Sequence, residues 1–224
     1  MRIAAIIVAA GRGQRAGGGV PKQWRPVAGQ SSVAHALNCF ETHDRIVRTL
    51  VVAHRDDIAA GLMETHGLTD VVPGGETRSA SVQAGLAALS PDITHVLIHD
   101  AARPCVSADV INGVLDALKD YDAAAPAVAV VDALWSGKDG FVAGNVERAG
   151  LYRAQTPQGF SRPVIIAAHR QFPNGAYDDV AVVQQAGHRV KITPGCEDNI
   201  KITTPADFDR AERILRTQHG HQIG

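Results

Sequence analysis

Fifteen residues near the start of the chain, Ala9-Ala10-Gly11-Arg12-Gly13-Gln14-Arg15-Ala16-Gly17-Gly18-Gly19-Val20-Pro21-Lys22-Gln23, bring five glycines together with the cations Arg12, Arg15 and Lys22. Glycine lets backbone N–H groups approach phosphate oxygens closely, and guanidinium and ammonium groups neutralise the charge. The chemistry this suits is the holding of a triphosphate. A surface turn with solvated charges could have the same composition, so position decides. The apolar run Ile3–Val8 reads as the first strand of an α/β sheet, and such sheets bind ligands at the carboxyl ends of their strands. Two familiar phosphate loops can be tested. A Walker loop needs GxxxxGK followed by Ser or Thr, whereas Lys22 lies between Pro21 and Gln23. Gly11-x-Gly13-x-x-Ala16 formally satisfies the dinucleotide fingerprint, but Gly17-Gly18-Gly19 and Pro21 would abort the helix it must open. Ser31 and Ser32 stand where its ribose-binding acid should follow, about 20 positions on.

A second cluster, His99-Asp100-Ala101-Ala102-Arg103-Pro104, follows the apolar Val96-Leu97-Ile98. A carboxylate at the end of a central strand faces the same crevice, and Asp100 offers Mg²⁺ a hard oxygen ligand beside nucleotide phosphates. Its plain alternative is a turn or N-cap aspartate. A third, Pro73-Gly74-Gly75-Glu76-Thr77-Arg78-Ser79-Ala80-Ser81, either presents backbone and hydroxyl groups to a base or ribose or forms a glycine turn before a capped helix. Arg148, Thr156-Pro157-Gln158, Tyr177-Asp178-Asp179 and Asp198-Asn199-Ile200-Lys201 each fit ordinary surface equally well. The ten histidines lack metal-ligand spacing, and GxSxG and HExxH are absent, so serine hydrolase and zincin chemistry have no support.

Positioning these loops requires a regular scaffold. Strands are expected at Ile3–Val8, Val47–Ala53, Asp70–Val72, His95–Ile98 and Ala125–Val131, with helices at Ser32–Phe40, Asp56–Thr65, Arg78–Leu89 and Ala108–Lys119 between them. Thr77 and Ser107 are expected N-caps. The alternation predicts an α/β fold with a doubly wound, mostly parallel sheet and helices on both faces. From Asp132 to Gln155 the pattern breaks into an excursion, with a hairpin turn at Ser136–Gly140. Helices follow at Arg162–Arg170 and Asp179–Ala186, then a strand at Arg189–Thr193, an extended piece at Asn199–Ile202 and a last helix opening with Pro205. No repeat or linker divides the chain, so residues 1–224 read as one domain.

The 224 residues include 45% hydrophobic and 20% charged, enough for a proper core. A formal net charge of −1 provides no global basic field for nucleic acid or an anionic membrane, and no apolar run approaches the roughly 20 residues of a membrane span. Cys39, Cys105 and Cys196 lack disulfide or zinc spacing, which fits a reducing, cytoplasmic setting. Arg2 and the run Ile3–Ala10 imitate a signal peptide, but the run is short, β-branched and leads straight into the glycine loop.

Taken in order, AAGxGxR…PKQ at Ala9–Gln23, GGxxRxxS at Gly74–Ser81, HDAARP at His99–Pro104, TPQ at Thr156–Gln158 and DNIK at Asp198–Lys201 make the chain resemble the 2-C-methyl-D-erythritol 4-phosphate cytidylyltransferases of non-mevalonate isoprenoid synthesis. The resemblance spans nearly the whole chain. It implies a Rossmann-like nucleotidyltransferase fold and a homodimer clasped by a protruding β-arm at residues 132–155. The implied reaction joins CTP to the sugar-alcohol phosphate and releases pyrophosphate. Arg15 and Lys22 would then be catalytic and Asp100 the Mg²⁺ ligand. Ala9, Ala10, Gly11, Gly13, Gly74, Gly75, Glu76, Arg78, Ser81 and Ala101 would hold CTP. Arg103, Thr156, Lys201 and Arg148, the last from the partner subunit, would hold the alcohol phosphate.

Some positions depart from the family's pattern. Tyr177 stands where a threonine is common, and Asp132-Ala133-Leu134-Trp135 lacks the usual Asp-Thr and following lysine. Relatives fused to a cyclodiphosphate synthase continue past the point where this chain ends. The rival readings are a ribitol-5-phosphate cytidylyltransferase, an NAD(P)-dependent oxidoreductase and a catalytically silent nucleotide binder.

Overall fold

The computed structural model describes residues 1–12 and 20–220. Its first strand, β1 (Ile3–Val8), is apolar throughout, and period-2 alternation sends Ile3, Ala5 and Ile7 into one core and Ala4 and Ile6 into another. A strand buried on both faces needs helices on both, which is what the alternating order supplies. A mini-hairpin, β2 (Pro26–Val27) and β3 (Gln30–Ser31), leads into α1 (Ser32–Glu41), followed by β4 (Ile46–Ala53), α2 (Arg55–Ala59), α3 (Leu62–Thr65), β5 (Val71–Pro73) and α4 (Arg78–Ala88). The chain then crosses back to β6 (His95–Asp100), α5 (Ala108–Ala117) and β7 (Ala123–Ala129). The outer hairpin is β8 (Leu134–Lys138) and β9 (Phe141–Val146). The remainder is β10 (Tyr152–Ala154), β11 (Gln158–Ser161), α6 (Arg162–Gln171), α7 (Asp179–Gln185), β12 (Lys191–Pro194) and α8 (Ala206–Gly220).

The main sheet runs β10-β7-β11-β6-β1-β4-β5, with β12 beside β7. Pairs β1·β4, β1·β6, β4·β5 and β7·β12 are parallel, whereas β11 runs antiparallel to β6 and β7, and β10 antiparallel to β7. Because the chain leaves β1 towards β4 and β5 and later returns to β6 on its other side, the winding reverses at β1 and β6. The crevice beyond their carboxyl ends is therefore where this fold accepts a ligand.

Thr77 and Ser107 cap α4 and α5 as expected, each side-chain oxygen accepting from a backbone N–H three residues on. Three expectations need correction. The helix expected over Asp56–Thr65 is broken into α2 and α3 at Gly61, whose φ of +71° is left-handed. The strand expected at Arg189–Thr193 is displaced to β12. The excursion also ends early, since Tyr152–Ala154 rejoins the main sheet as β10.

The hairpin β8–β9 forms a sheet of its own. Its turn places Asp139 and Gly140 at φ of 50° and 84°, the two left-handed residues a tight hairpin turn demands. Trp135 and Phe141 are 66% and 78% exposed on it.

The unforeseen strand β11 depends on Gly159, where a Cβ would lie 2.5 Å from Val114 Cγ1 and 3.0 Å from Leu97 Cδ2. Both neighbours sit in the core, so Gly159→Ala is expected to destabilise the protein by about 1–3 kcal/mol, the usual range for overpacking. A lowered urea midpoint at unchanged slope is the expected result.

Candidate active site

A cleft of about 360 Å³ opens at the carboxyl ends of β1 and β6. Ala9, Ala10 and Gly11 follow β1 into it, and Lys22 and Gln23 line the same wall. Gly75, Glu76, Arg78 and Ser81 enter from the turn ahead of α4, Asp100 and Ala101 from the end of β6, and Lys201 from the segment before α8. A larger cavity of about 620 Å³ lies between α1 and α8, but it lacks the glycine-loop residues and the convergent charges of the cleft.

The neck of the glycine loop is tied from two sides. Gln23 Nε2 donates to Ala9 O at 2.7 Å and Gly11 O at 2.9 Å. Asp57, only 4% exposed on α2, accepts from Arg12 Nη1 and from Trp24 Nε1, both at 2.8 Å. Arg12 lines the cleft and also meets His54 and Asp56, so without a ligand its charge is shared with α2. Lys22 donates from Nζ to Ile202 O at 2.6 Å, which joins the loop to the Lys201 segment. Gly13 and Arg15 lie outside the described residues.

The turn before α4 needs both of its glycines for close packing. A Cβ on Gly74 would meet Ala10 Cβ at 2.6 Å, and one on Gly75 would meet Ala80 Cβ at 2.5 Å. Gly74 thus supports the cleft from behind. Ser81 Oγ accepts from Gly75 N–H at 3.2 Å and holds the turn.

Asp100 is the electrostatic centre. Its Oδ2 accepts from Lys201 Nζ at 2.7 Å, and Oδ1 lies 3.6 Å from the Arg78 guanidinium. Burial by itself would raise its pKa, but the charges of Lys201 and Arg78 more than reverse this and hold the carboxyl well below the usual range. Arg78 is shifted upward despite its own burial, chiefly by Asp179 and Asp100. Among the described residues no group of three or more His, Cys, Asp or Glu could hold a metal ion. A permanently ionised carboxylate with one oxygen outside hydrogen-bond range nevertheless fits Mg²⁺, which binds through one or two carboxylates plus substrate phosphates.

Behind Asp100 the hydrogen bonds fix a tautomer. Thr156 Oγ1 accepts from Asp100 N–H at 3.2 Å, so its own proton goes to His99 Nδ1 at 2.9 Å, and His99 Nε2–H donates to Arg103 O at 3.1 Å. Thr156 is buried and supports the end of β6. Arg103 is also committed, donating to Asn199 O at 2.7 Å and Ala154 O at 3.2 Å. Arg148 stays on the exposed arm, donating to Val131 O. None of these three lines the cleft, whereas Lys201 does. The supports that sequence reasoning missed are Gln23, Trp24, Asp57 and Asn199, whose partners are separated by up to 96 positions and leave no local signal.

Comparison with known proteins places this geometry. The family model described as IspD, 2-C-methyl-D-erythritol 4-phosphate cytidylyltransferase, matches residues 3–217. A protein of that name from Roseobacter denitrificans is 55% identical over 221 residues, covering 99% of this chain and 100% of the relative. The chain belongs to this family. A bifunctional IspD/IspF enzyme of Rhodobacter capsulatus is also 55% identical, with this chain covering 58% of its length. The crystal structure of the enzyme from Thermus thermophilus aligns with a TM-score of 0.79 at 30% identity, covering 96% of this chain and all of that one. This family member is thus a nucleotidyltransferase with an α/β fold built on a mostly parallel sheet.

His99 is completely buried, and burial lowers its pKa to about 4. The unfolded chain binds its proton near pH 6.5 while the folded one refuses it until about 4, so stability falls as pH drops through that window and levels off below it. The expected loss is roughly 3 kcal/mol from this residue. Urea midpoints measured between pH 4 and 7 should fall steeply for the native sequence and clearly less for His99→Gln; equal slopes would assign the dependence elsewhere.

Proposed function

We propose that this chain transfers the cytidylyl group of CTP to 2-C-methyl-D-erythritol 4-phosphate in the cleft at β1 and β6, giving 4-diphosphocytidyl-2-C-methyl-D-erythritol and pyrophosphate. The observation that carries the reading is the convergence of Lys22, Lys201 and Arg78 with Asp100 on a glycine-walled cleft, within a chain of this family. An oxygen of the alcohol phosphate bonds to the α-phosphorus as the bond to the bridging β-phosphate oxygen breaks. The attacking phosphate is already ionised, so no general base is required. What remains for the protein is to align two anions that repel and to neutralise the charge crowded on phosphorus.

Lys22 and Arg15 take the role of stabilising that pentavalent centre, with Lys22 anchored by Ile202 O at the cleft wall. Backbone from Ala9 to Gly11, with Gly75, Glu76, Ser81 and Ala101, cradles the nucleotide. Asp100 would hold Mg²⁺, which supplies charge neutralisation on the triphosphate. Lys201 is placed to exchange Asp100 for a phosphate of the second substrate.

The arm serves a homodimer in this reading. Trp135, Phe141 and Val142 are exposed on β8 and β9, and such apolar surface is expected to be covered by a second copy, which also brings Arg148 to the neighbouring cleft. No described helix is long and apolar enough to cross a membrane, and we place the enzyme in the cytoplasm.

Pyrophosphate release with CTP, Mg²⁺ and each alcohol phosphate tests the reading. Release is expected with methylerythritol phosphate and not with ribitol phosphate; the reverse preference would transfer the chain to the ribitol reading, and silence with both would reject cytidylyl transfer. Lys22→Ala and Arg15→Ala should each lower turnover by about a hundredfold or more, on the scale of losing one charge-stabilising donor. Trp135→Asp combined with Phe141→Asp should shift the sedimentation coefficient to that of a monomer, and an unchanged value would remove the arm from the interface.

A further inference from the structure

Arg78 stands between two carboxylates in different surroundings. Its Nη1 donates to Asp179 Oδ2 at 2.6 Å, while Nη2 lies 3.6 Å from Asp100 Oδ1, just outside hydrogen-bond range. Asp100 faces the cleft, whereas the Asp179 side chain, on the first turn of α7, is 1% exposed. Its neighbour Asp178 is otherwise employed, capping α7 through Ala181 N–H and accepting from Gln158. The two members of this acidic pair therefore have separate roles.

Behind Asp179 the hydrogen bonds run in one direction. Gln83 Nε2 donates to Ser79 Oγ at 3.2 Å, which leaves the Ser79 hydroxyl proton for His169 Nδ1 at 3.3 Å. The imidazole then carries its proton on Nε2 and donates it to Asp179 Oδ1 at 3.1 Å. Asp179 closes the chain with one oxygen for His169 and the other for Arg78. Residues from α4, α6 and α7 thus fix a buried carboxylate that cannot follow the guanidinium, so the guanidinium must come to it.

We infer that Asp179 is a positioning residue that holds Arg78 off Asp100, and so leaves Asp100 Oδ1 open to a divalent cation delivered with the nucleotide. The inference rests on the cytidylyltransferase reading of the cleft. Without the Asp179 charge, Asp100 is the nearest carboxylate to Arg78, and arginine pairs with aspartate through two parallel hydrogen bonds where it can. Such a pair would occupy the oxygen that the cation needs.

The test is calorimetric binding of Mn²⁺–CTP, compared with CTP in EDTA, to the full-length native protein, Asp179→Asn, Arg78→Gln and the double variant. Asp179→Asn should weaken Mn²⁺–CTP binding about tenfold, as loss of an orienting partner does at metal sites, and metal-free CTP much less. In the Arg78→Gln background the same substitution should change Mn²⁺–CTP affinity by less than about twofold, because the competitor is gone. A full tenfold loss in that background, or no loss in Asp179→Asn, overturns the inference. Should Asp179→Asn fail to fold, His169→Gln carries the same comparison, with about a threefold loss expected that again requires Arg78, and no loss overturns the inference. The native protein's pyrophosphate release is measured alongside: its absence rejects the reaction, while a normal release with an unchanged Mn²⁺–CTP affinity in the variants rejects only the role of Asp179.

Discussion

A carboxylate at the end of β6 that stays ionised while almost wholly buried constrains everything around the cleft. Removing Asp100 from water would cost several kcal/mol if it stood alone, and its neighbours must offset that cost. Lys201 does so by direct contact and Arg78 from slightly farther away. Those cations come from segments distant in sequence, one before α8 and one at the start of α4, so the charge on Asp100 is a reason for both segments to converge there. The neutral His99 beside it has the complementary role. Fixed between Thr156 and Arg103 O, it supports the strand end without adding a positive charge that would compete for the same carboxylate.

The parts of the fold that were legible in the sequence are those governed by local periodicity. β1 reads directly because its residues are apolar on both faces, and α4 and α5 read because Thr77 and Ser107 stand immediately ahead of helical patterns. β11 did not read: Gln158-Gly159-Phe160-Ser161 has one large apolar side chain, and its pairing is decided by β6 and β7 lying on either side. Its glycine, which looks like a turn signal, is required by the close approach of Val114 and Leu97. The broken helix at Gly61 failed for the opposite reason, since a helical pattern on both sides concealed a left-handed residue between them.

For the site, motif spacing found the residues that touch the cleft but could not assign their partners. Charge alone grouped Arg12 with Arg15 and Lys22 as phosphate ligands. The structure adds a partner that spacing could not show, a buried carboxylate 45 residues away that holds Arg12 at the cleft wall. Thr156 and Arg103 carry family motifs, and their hydrogen bonds hold β6, β10 and the Asn199 turn together.

A division of labour among the cations follows. Arg12 and Arg103 are bound to carboxylate or carbonyl partners that define the walls, so releasing either would cost structure. Lys201 differs in type and in partner: it is an ammonium paired with the carboxylate that lines the cleft. An ammonium on a flexible stem can leave such a pair when a more highly charged anion arrives, and an entering phosphate offers it more charge than Asp100 does. Arg78, with its fork divided between a buried carboxylate and the cleft, is held at an intermediate position. Internal pairing of the cations thus keeps the net charge of the site low. In the proposed reaction the Lys201 pair is the one the cleft gives up, at the moment the alcohol phosphate's own charge makes the exchange favourable.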